Sequence, residues 1–540
     1  MSFLKRIVLT TIPHKTYASS DKALKLPVCQ TPFRKVARTL FASAALLCGL
    51  GTTVSAQEVD ASESPALPSV EIKTHPSWMM FDYQMLSVAG LPDLDLLGYH
   101  IMTPVNDWLS LGLGSYAPVA MGEYGGFMAF GGLAHAQVPI SDKMFLTGGL
   151  SFGGGGGGRS TAQSVVLSGT GGYVKGYAGI GYDFGRVSAG VNISHFKFIN
   201  SAIDSTQANV FAQIPIGHQV GPFGRYGENF SLRGQDTFKF RAPSILSVGL
   251  DNFNQINPTG SFKGTLRTVD VQYTHFMNDR AYWFFAPGVG YQGLATYNQV
   301  LAGLGMRYSV SPRINLYGQL GLGSGGYAPA LIDTGTGLLV YPKASAEFKL
   351  SDRIGIALTS GYIMAPDGTS RNMTYGLALN THFGSTQPDG QTPTEGRYQG
   401  YRFSAVNETK LSSAYAGVDR GQLNLLAGQI DFIAGDYLYV PLRGAISYEA
   451  YKTFPGYGEV TAGIGLNSKY SADKPLQVFG SLQGGVNVEG LIVRGALGVN
   501  YGLSEDLALR AAASQTFGQD GYRSSNIELG VTYRFSRFTF

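Results

Sequence analysis

Apolar and polar residues alternate with period two along most of the chain beyond residue 77. In 173–184, Val174, Gly176, Ala178, Ile180, Tyr182 and Phe184 interleave with Tyr173, Lys175, Tyr177, Gly179, Gly181 and Asp183. The next segment sets Val187, Ala189, Val191 and Ile193 against Arg186, Ser188, Asn192 and Ser194. Further on, Ile354, Ile356 and Leu358 alternate with Arg353, Gly355, Ala357 and Thr359. Successive side chains of a strand point to opposite faces, so each segment predicts a strand with one greasy and one polar face. Their length, about 9–11 residues, is that of a strand crossing a bilayer at the tilt of a barrel.

These strands recur in larger units. The stretch DLDLLGYHIMTPVNDWLSLGLG from Asp93 parallels TVDVQYTHFMNDRAYWFFAPGVG from Thr268, and QLNLLAGQIDFIAGDYLYVPLRG from Gln422 is a looser copy. The units run over 77–216, 243–383 and 402–540, each of about eight strands, with inter-unit segments 217–242 and 384–401. Tight turns such as ISDK, VSPR, LSDR and LSED alternate with longer connections. Short turns on one rim and long loops on the other are the habit of membrane barrels. The expected fold is all-β: a transmembrane antiparallel barrel of about 24 strands from three eight-strand repeats. A single large barrel is preferred, with three tandem eight-strand barrels as the alternative. The inter-unit segments are long for periplasmic turns, so they plug a lumen, separate three small barrels, or mean that the strand count is off by one.

Glycine is abundant, 74 of 540 residues, including six in a row at 153–158 ahead of Arg159. A phosphate-binding loop would need spaced glycines, a lysine and a helix start, and these are missing. The G-x-G-x-x-G at 321–326 also lacks a following helix pattern. The hexaglycine falls between the fifth and sixth strands of the first unit and is expected to be a flexible external loop. Glycines within strands leave room for curvature or for aromatics from neighbouring strands.

Composition adds an address. Arg34, Lys35 and Arg38 precede an apolar stretch from Leu40, and Val54-Ser55-Ala56 supplies a cleavage pattern before Gln57, so 1–56 reads as a signal peptide with an extended n-region. Residues 57–76 then form an N-terminal periplasmic tail. Both cysteines, Cys29 and Cys48, lie in the leader, so the mature chain is expected to use no disulfide. Leu47 is too bulky for a lipoprotein box at Cys48. The leader carries eight Lys/Arg against Asp21, a net of +7, which leaves −3 of the chain's +4 for the mature part. Nucleic acid is therefore not an implied partner. A soluble β-sandwich would also explain alternation, but not the C-terminal pattern below.

Near the C-terminus, Glu528, Gly530, Tyr533 and Phe535 form polar-x-Gly-x-x-aromatic-x-aromatic, and the chain closes on Phe540. This resembles the assembly signal of Gram-negative outer-membrane β-barrels of the porin-like superfamily. The resemblance implies the cell outer membrane as location, with outer-membrane lipid and the barrel assembly machinery as partners. Periplasmic export or electron-transfer subunits are further candidates. Trp78, Trp108 and Trp283 fit interfacial aromatic girdles. Lys175, Arg186, Arg510 and Glu528 are candidate lumen charges, read as solvating a water-filled interior.

Chemistry is sparse. His75, His100, His135, His195, His218, His275 and His382 are scattered singly. Ser194 and His195 are adjacent on a strand and face opposite ways. His100 and His275 occupy nearly equivalent repeat positions and read as interfacial or turn-packing residues. The expectation is no catalytic, metal or cofactor site, and hence no enzyme. The expected function is an outer-membrane channel or export conduit for a polar solute or polymer. The alternative is a non-conducting scaffold holding a partner protein or polymer in its lumen or at its external loops.

Overall fold

In the computed structural model of the chain, the described residues are 67–75, 77–157, 161–216, 218–232, 244–295, 297–328, 330–383, 395–451, 455–469, 471 and 474–539. The leader, the cleavage pair Ala56 and Gln57, and Phe540 lie outside them. Among the described residues, 24 strands build three closed antiparallel barrels. Barrel 1 comprises β1 (Trp78–Leu86), β2 (Leu94–Pro104), β3 (Leu109–Ala117), β4 (Met128–Pro139), β5 (Met144–Gly156), β6 (Gly172–Asp183), β7 (Ser188–Phe198) and β8 (Asp204–Pro215). Barrel 2 comprises β9 (Ser244–Gln255), β10 (Leu266–Phe276), β11 (Ala281–Gln292), β12 (Asn298–Ser311), β13 (Ile314–Gly326), β14 (Leu338–Lys349), β15 (Ile354–Met364) and β16 (Arg371–Phe383). Barrel 3 comprises β17 (Glu395–Tyr415), β18 (Leu423–Ile433), β19 (Leu438–Ser447), β20 (Gly458–Asn467), β21 (Leu476–Asn487), β22 (Gly490–Gly502), β23 (Leu507–Gly518) and β24 (Arg523–Thr539).

The eight-strand modules are those expected, but each closes on itself, so the alternative architecture is the one formed. The last strand of every unit returns to its own first strand: Trp78 faces Pro215, Ser244 faces Phe383, and Arg397 faces Thr539. One 24-strand barrel would satisfy the same number of backbone groups. Self-closure pairs ends separated by one unit rather than by the whole chain, and loop-closure entropy favours the shorter span. The first strand of barrel 3 begins at Glu395, inside the segment expected to be a linker.

Strand faces sort as the alternation requires. Val174, Val191, Ile193, Ile356 and Leu358 are exposed, whereas Lys175, Tyr173, Asn192, Ser194 and Thr359 are buried in the lumens. Apolar side chains out and polar ones in is the reverse of a soluble protein, and suits hydrocarbon around the barrel. Trp78 opens β1, Trp108 sits in the turn before β3, and Trp283 lies near the start of β11, all at the short-turn rim. Exposed Phe184, Tyr308, Tyr437 and Tyr501 share that level.

Glycine does two jobs in this architecture. Inside the tight barrels it makes space for a cross-strand ring: Tyr282 lies over its partner Gly305, and Tyr439 over Gly465. Between barrels it permits backbone contact. The hexaglycine is not a flexible loop over its first four residues, because Gly153–Gly156 extend β5 and pair with β4. A Cβ on Gly154 would run into the Ser447 carbonyl at the end of β19. Beyond it, a helix over Thr161–Ser168 lays Leu167 into the long-loop mouth of barrel 1, beside Phe127, Phe198 and Ile203.

The barrels meet in a ring. Barrel 1 presents β5 to β18 and β19 of barrel 3, where Phe152 packs edge-on against Tyr448 at 5.1 Å. Barrel 3 presents β21 and β22 to β11 of barrel 2. Barrel 2 closes the ring with the segment after β13: the Gly125 amide donates to the Gly335 carbonyl at 3.0 Å, and the Thr336 hydroxyl donates to the Val119 carbonyl at 2.9 Å. Each contact sets the fifth strand, or the chain just after it, against the third-strand region of the next barrel. Such heterologous contacts make rings when their rotation closes. Here one chain supplies all three copies.

Candidate functional site

The candidate sites are the three lumens. In barrel 1, Asp82 on β1 accepts from His100 on β2 at 2.8 Å and is ion-paired with Lys175 on β6. The Lys175 ammonium also stands 4.9 Å from the Tyr116 ring centre. His135 bonds the Tyr177 hydroxyl at 2.6 Å. These groups are buried, so the charge of Lys175 is neutralised rather than offered to solvent.

In barrel 2, Lys343 on β14 donates to Asp251 on β9 at 2.6 Å, and Thr359 donates to the same carboxylate at 2.7 Å. Asp270 accepts from Gln299 at 2.9 Å and Thr268 at 3.1 Å. Towards the short-turn end, Glu347 gathers Asn315, Tyr317, Asn380 and His382 at 2.7–3.0 Å. Between these levels lies a cavity of about 50 Å³, lined among others by Asp270, Gln272, Gln319, Lys343 and Thr359.

Barrel 3 is the most highly charged. Arg443 bridges Glu408 at 2.5 Å and Glu459 at 2.7 Å, and Lys410 reaches the same two carboxylates at 3.1 Å each. Arg494 pairs with Glu528, whose second oxygen stands 3.8 Å from Arg510 Nε. Nearer the short turns, Arg402 pairs with Asp431 at 3.1 Å and donates to Gln477 at 2.9 Å. Residues 218–232 of the first inter-unit segment then close that mouth: Gly221 and Ser536 exchange backbone hydrogen bonds, and Phe223 is buried against Ile433, Tyr439 and Phe479. The segment thus both separates two barrels and stoppers the third.

Of the candidate lumen charges, Lys175, Arg510 and Glu528 are in lumens, paired or stacked rather than water-solvated. Arg186 is not: it is exposed in the β6–β7 turn, between Asp183 and Ser188 and outside both strands. His100 is a lumen residue, whereas His275 faces outward beside Tyr273 and Trp283. The repeat match hid a one-residue change of face, which is all a strand needs to exchange inside for outside. In the C-terminal pattern, Tyr533 and Phe535 stack on the outer face, Phe535 also against Tyr401, while Glu528 points inward. Sequence reasoning missed Asp82, Asp251, Lys343, Glu347, Glu408 and Arg443. Their signal was a charge on the polar parity of an otherwise apolar strand, as in MMFDYQML.

These features define the class: an antiparallel β-barrel protein with the face pattern of transmembrane barrels, apolar outside, polar inside and rimmed by aromatic residues. The sequence matches no described protein family and no curated protein. Among solved structures, the KdgM porin in complex with disordered oligogalacturonate is similar at 6% identity and TM-score 0.15, covering 54% of this chain and 98% of that one. The siderophore receptor PirA from Pseudomonas aeruginosa aligns at 10% identity and TM-score 0.26, covering 88% and 82%. A de novo designed transmembrane β-barrel aligns at 15% identity and TM-score 0.17, covering 26% and 94%.

Proposed function

We propose that this protein is an outer-membrane scaffold whose three sealed barrels hold it in the bilayer while its long-loop rim engages a partner. The observation that carries the reading is the filling of the lumens, most complete in barrel 3 with its ion-pair network and its Phe223 stopper. An eight-stranded barrel has an interior just wide enough for side chains. The polymer conduit anticipated from one wide barrel would need a lumen that these barrels do not offer. The apolar belt and the aromatic rim support the membrane location. The role is one of binding rather than catalysis; His100 and His135 serve buried hydrogen bonds in this reading.

A second reading keeps passage, on a smaller scale. The cavity of about 50 Å³ in barrel 2 has room for a few waters, and its walls are polar. It would serve a narrow path for water-sized species past Asp270 and Lys343.

Conductance of the folded protein in a planar bilayer separates these readings. Silence from protein shown to be inserted supports the scaffold. Small currents abolished by Lys343→Met support the narrow path. Large steady openings would overturn both.

A further inference from the structure

Charges in the middle of barrel 3 do not balance. Lys410, Arg443, Arg494 and Arg510 stand against Glu408, Glu459 and Glu528, all within one network of ion pairs. Four cations face three carboxylates, and Arg402 is engaged by its own partner Asp431. The excess falls on Arg510. It is 2% exposed, its guanidinium lies 4.0 Å from the Phe479 ring centre, and among the described residues its Nε, Nη1 and Nη2 have no hydrogen-bond acceptor. A buried network that leaves one cation uncancelled, with its guanidinium short of hydrogen bonds, is strongly unfavourable.

Two more orphan donors lie at the same level. Asn500 is the cross-strand partner of Arg510 on one side and of Gln477 on the other. Its Nδ2 is fully buried and without an acceptor among the described residues. Gln477 holds Nη1 of Arg402, whose Nη2 is likewise unsatisfied. Arg402 stacks on Tyr439 at 4.5 Å, and Tyr439 packs with Phe479, the ring under Arg510. Directly opposed residues on paired strands bring their side chains within about 5 Å of each other. Among the described residues, Arg510, Asn500 and Arg402 thus bring unsatisfied donors to one part of the lumen, where the Glu528 carboxylate, 3.8 Å from Arg510 Nε, is too far for a hydrogen bond.

We infer that barrel 3 binds one small monoanion of halide size at Arg510, with the Asn500 amide and Nη2 of Arg402 as additional donors. A single negative charge cancels the excess of the network. A multivalent oxyanion would overshoot it and meet the Glu528 carboxylate, 3.8 Å from Arg510 Nε. Because Phe223 stoppers the near mouth, the ion would be enclosed as the barrel closes and exchange slowly. This site is independent of whether any barrel conducts.

The test is chemical. Full-length protein purified in chloride is exchanged into gluconate at equal ionic strength, denatured in acid, and its released ions are measured by ion chromatography. About one halide per folded chain is expected for a single compensating charge. Protein refolded in bromide should release bromide instead. Arg510→Met keeps an apolar stem over Phe479 and removes the charge, and should release none. No halide from the wild type, equal release from Arg510→Met, or phosphate in place of halide would each overturn the assignment. Should that variant fail to fold, anomalous scattering from bromide-grown wild-type crystals decides: a peak beside Arg510 sustains the site, and its absence there removes it.

Discussion

Barrels 2 and 3 share strand number, antiparallel meander and turn rhythm, yet they fill their interiors in different ways. Barrel 2 holds Asp251, Asp270 and Glu347 against Lys343, joins them mainly through neutral hydrogen-bond donors, and leaves a cavity. Barrel 3 packs guanidinium groups against carboxylates and aromatic rings. The lesson is that the small-barrel scaffold sets a volume to be filled and leaves the chemistry of filling open. Neutral donors tolerate the loss of a charge, because an amide still bonds an amide or hydroxyl. An ion-pair network does not, since each member compensates another in a place water does not reach.

The largest expected effect comes from opening that network. Glu528→Gln strips the carboxylate from Arg494 and deprives Arg443 and Arg510 of a neighbour, and should cost roughly 3–5 kcal/mol in urea unfolding. In barrel 2, Asp270→Asn keeps an acceptor for Gln299 or Thr268 and has no ion pair to break, so a loss below about 1 kcal/mol is expected. Equal losses in the two variants would break the comparison.

Glycine position gives the next contrast. Gly154→Val drives side-chain atoms into the Ser447 carbonyl and should cost about 1–3 kcal/mol while loosening barrel 1 from barrel 3, seen as faster proteolysis near residue 448. Gly318→Ala in β13 meets nothing within 4 Å and should leave unfolding unchanged or slightly improved. The smallest effect is expected at the exposed pair of Lys197 and Asp204, 2.5 Å apart on the outside of barrel 1. Asp204→Asn there should not shift the unfolding midpoint measurably, because water screens such pairs.

Period-two alternation, the eight-strand modules and the alternation of short and long connections were all legible along the chain, because each is local. So were the outward Val191, Ile193 and Leu358 and the inward Lys175, whose parity follows from the strand itself. Closure was not legible. A last strand finds the same backbone partners in its own unit or in the next, and the choice rests on long-range geometry rather than on any side chain. The hexaglycine misled for a similar reason: its purpose lies at Ser447, nearly three hundred residues away, and sequence shows only the missing side chain. His275 was misplaced by a single-residue change of face between repeats, and Arg186 because it lies in a turn, where strand parity no longer holds.

The sequence by itself determined the strand periodicity, the threefold repeat and the greasy outer faces, since a strand's two faces are written in alternate residues. Tertiary structure alone decided that three small lumens form instead of one, which charges pair inside them, and that residues 218–232 stopper the third. Those outcomes depend on which distant groups come within a few ångströms of each other, and buried charges are settled by such neighbours rather than by their own identity.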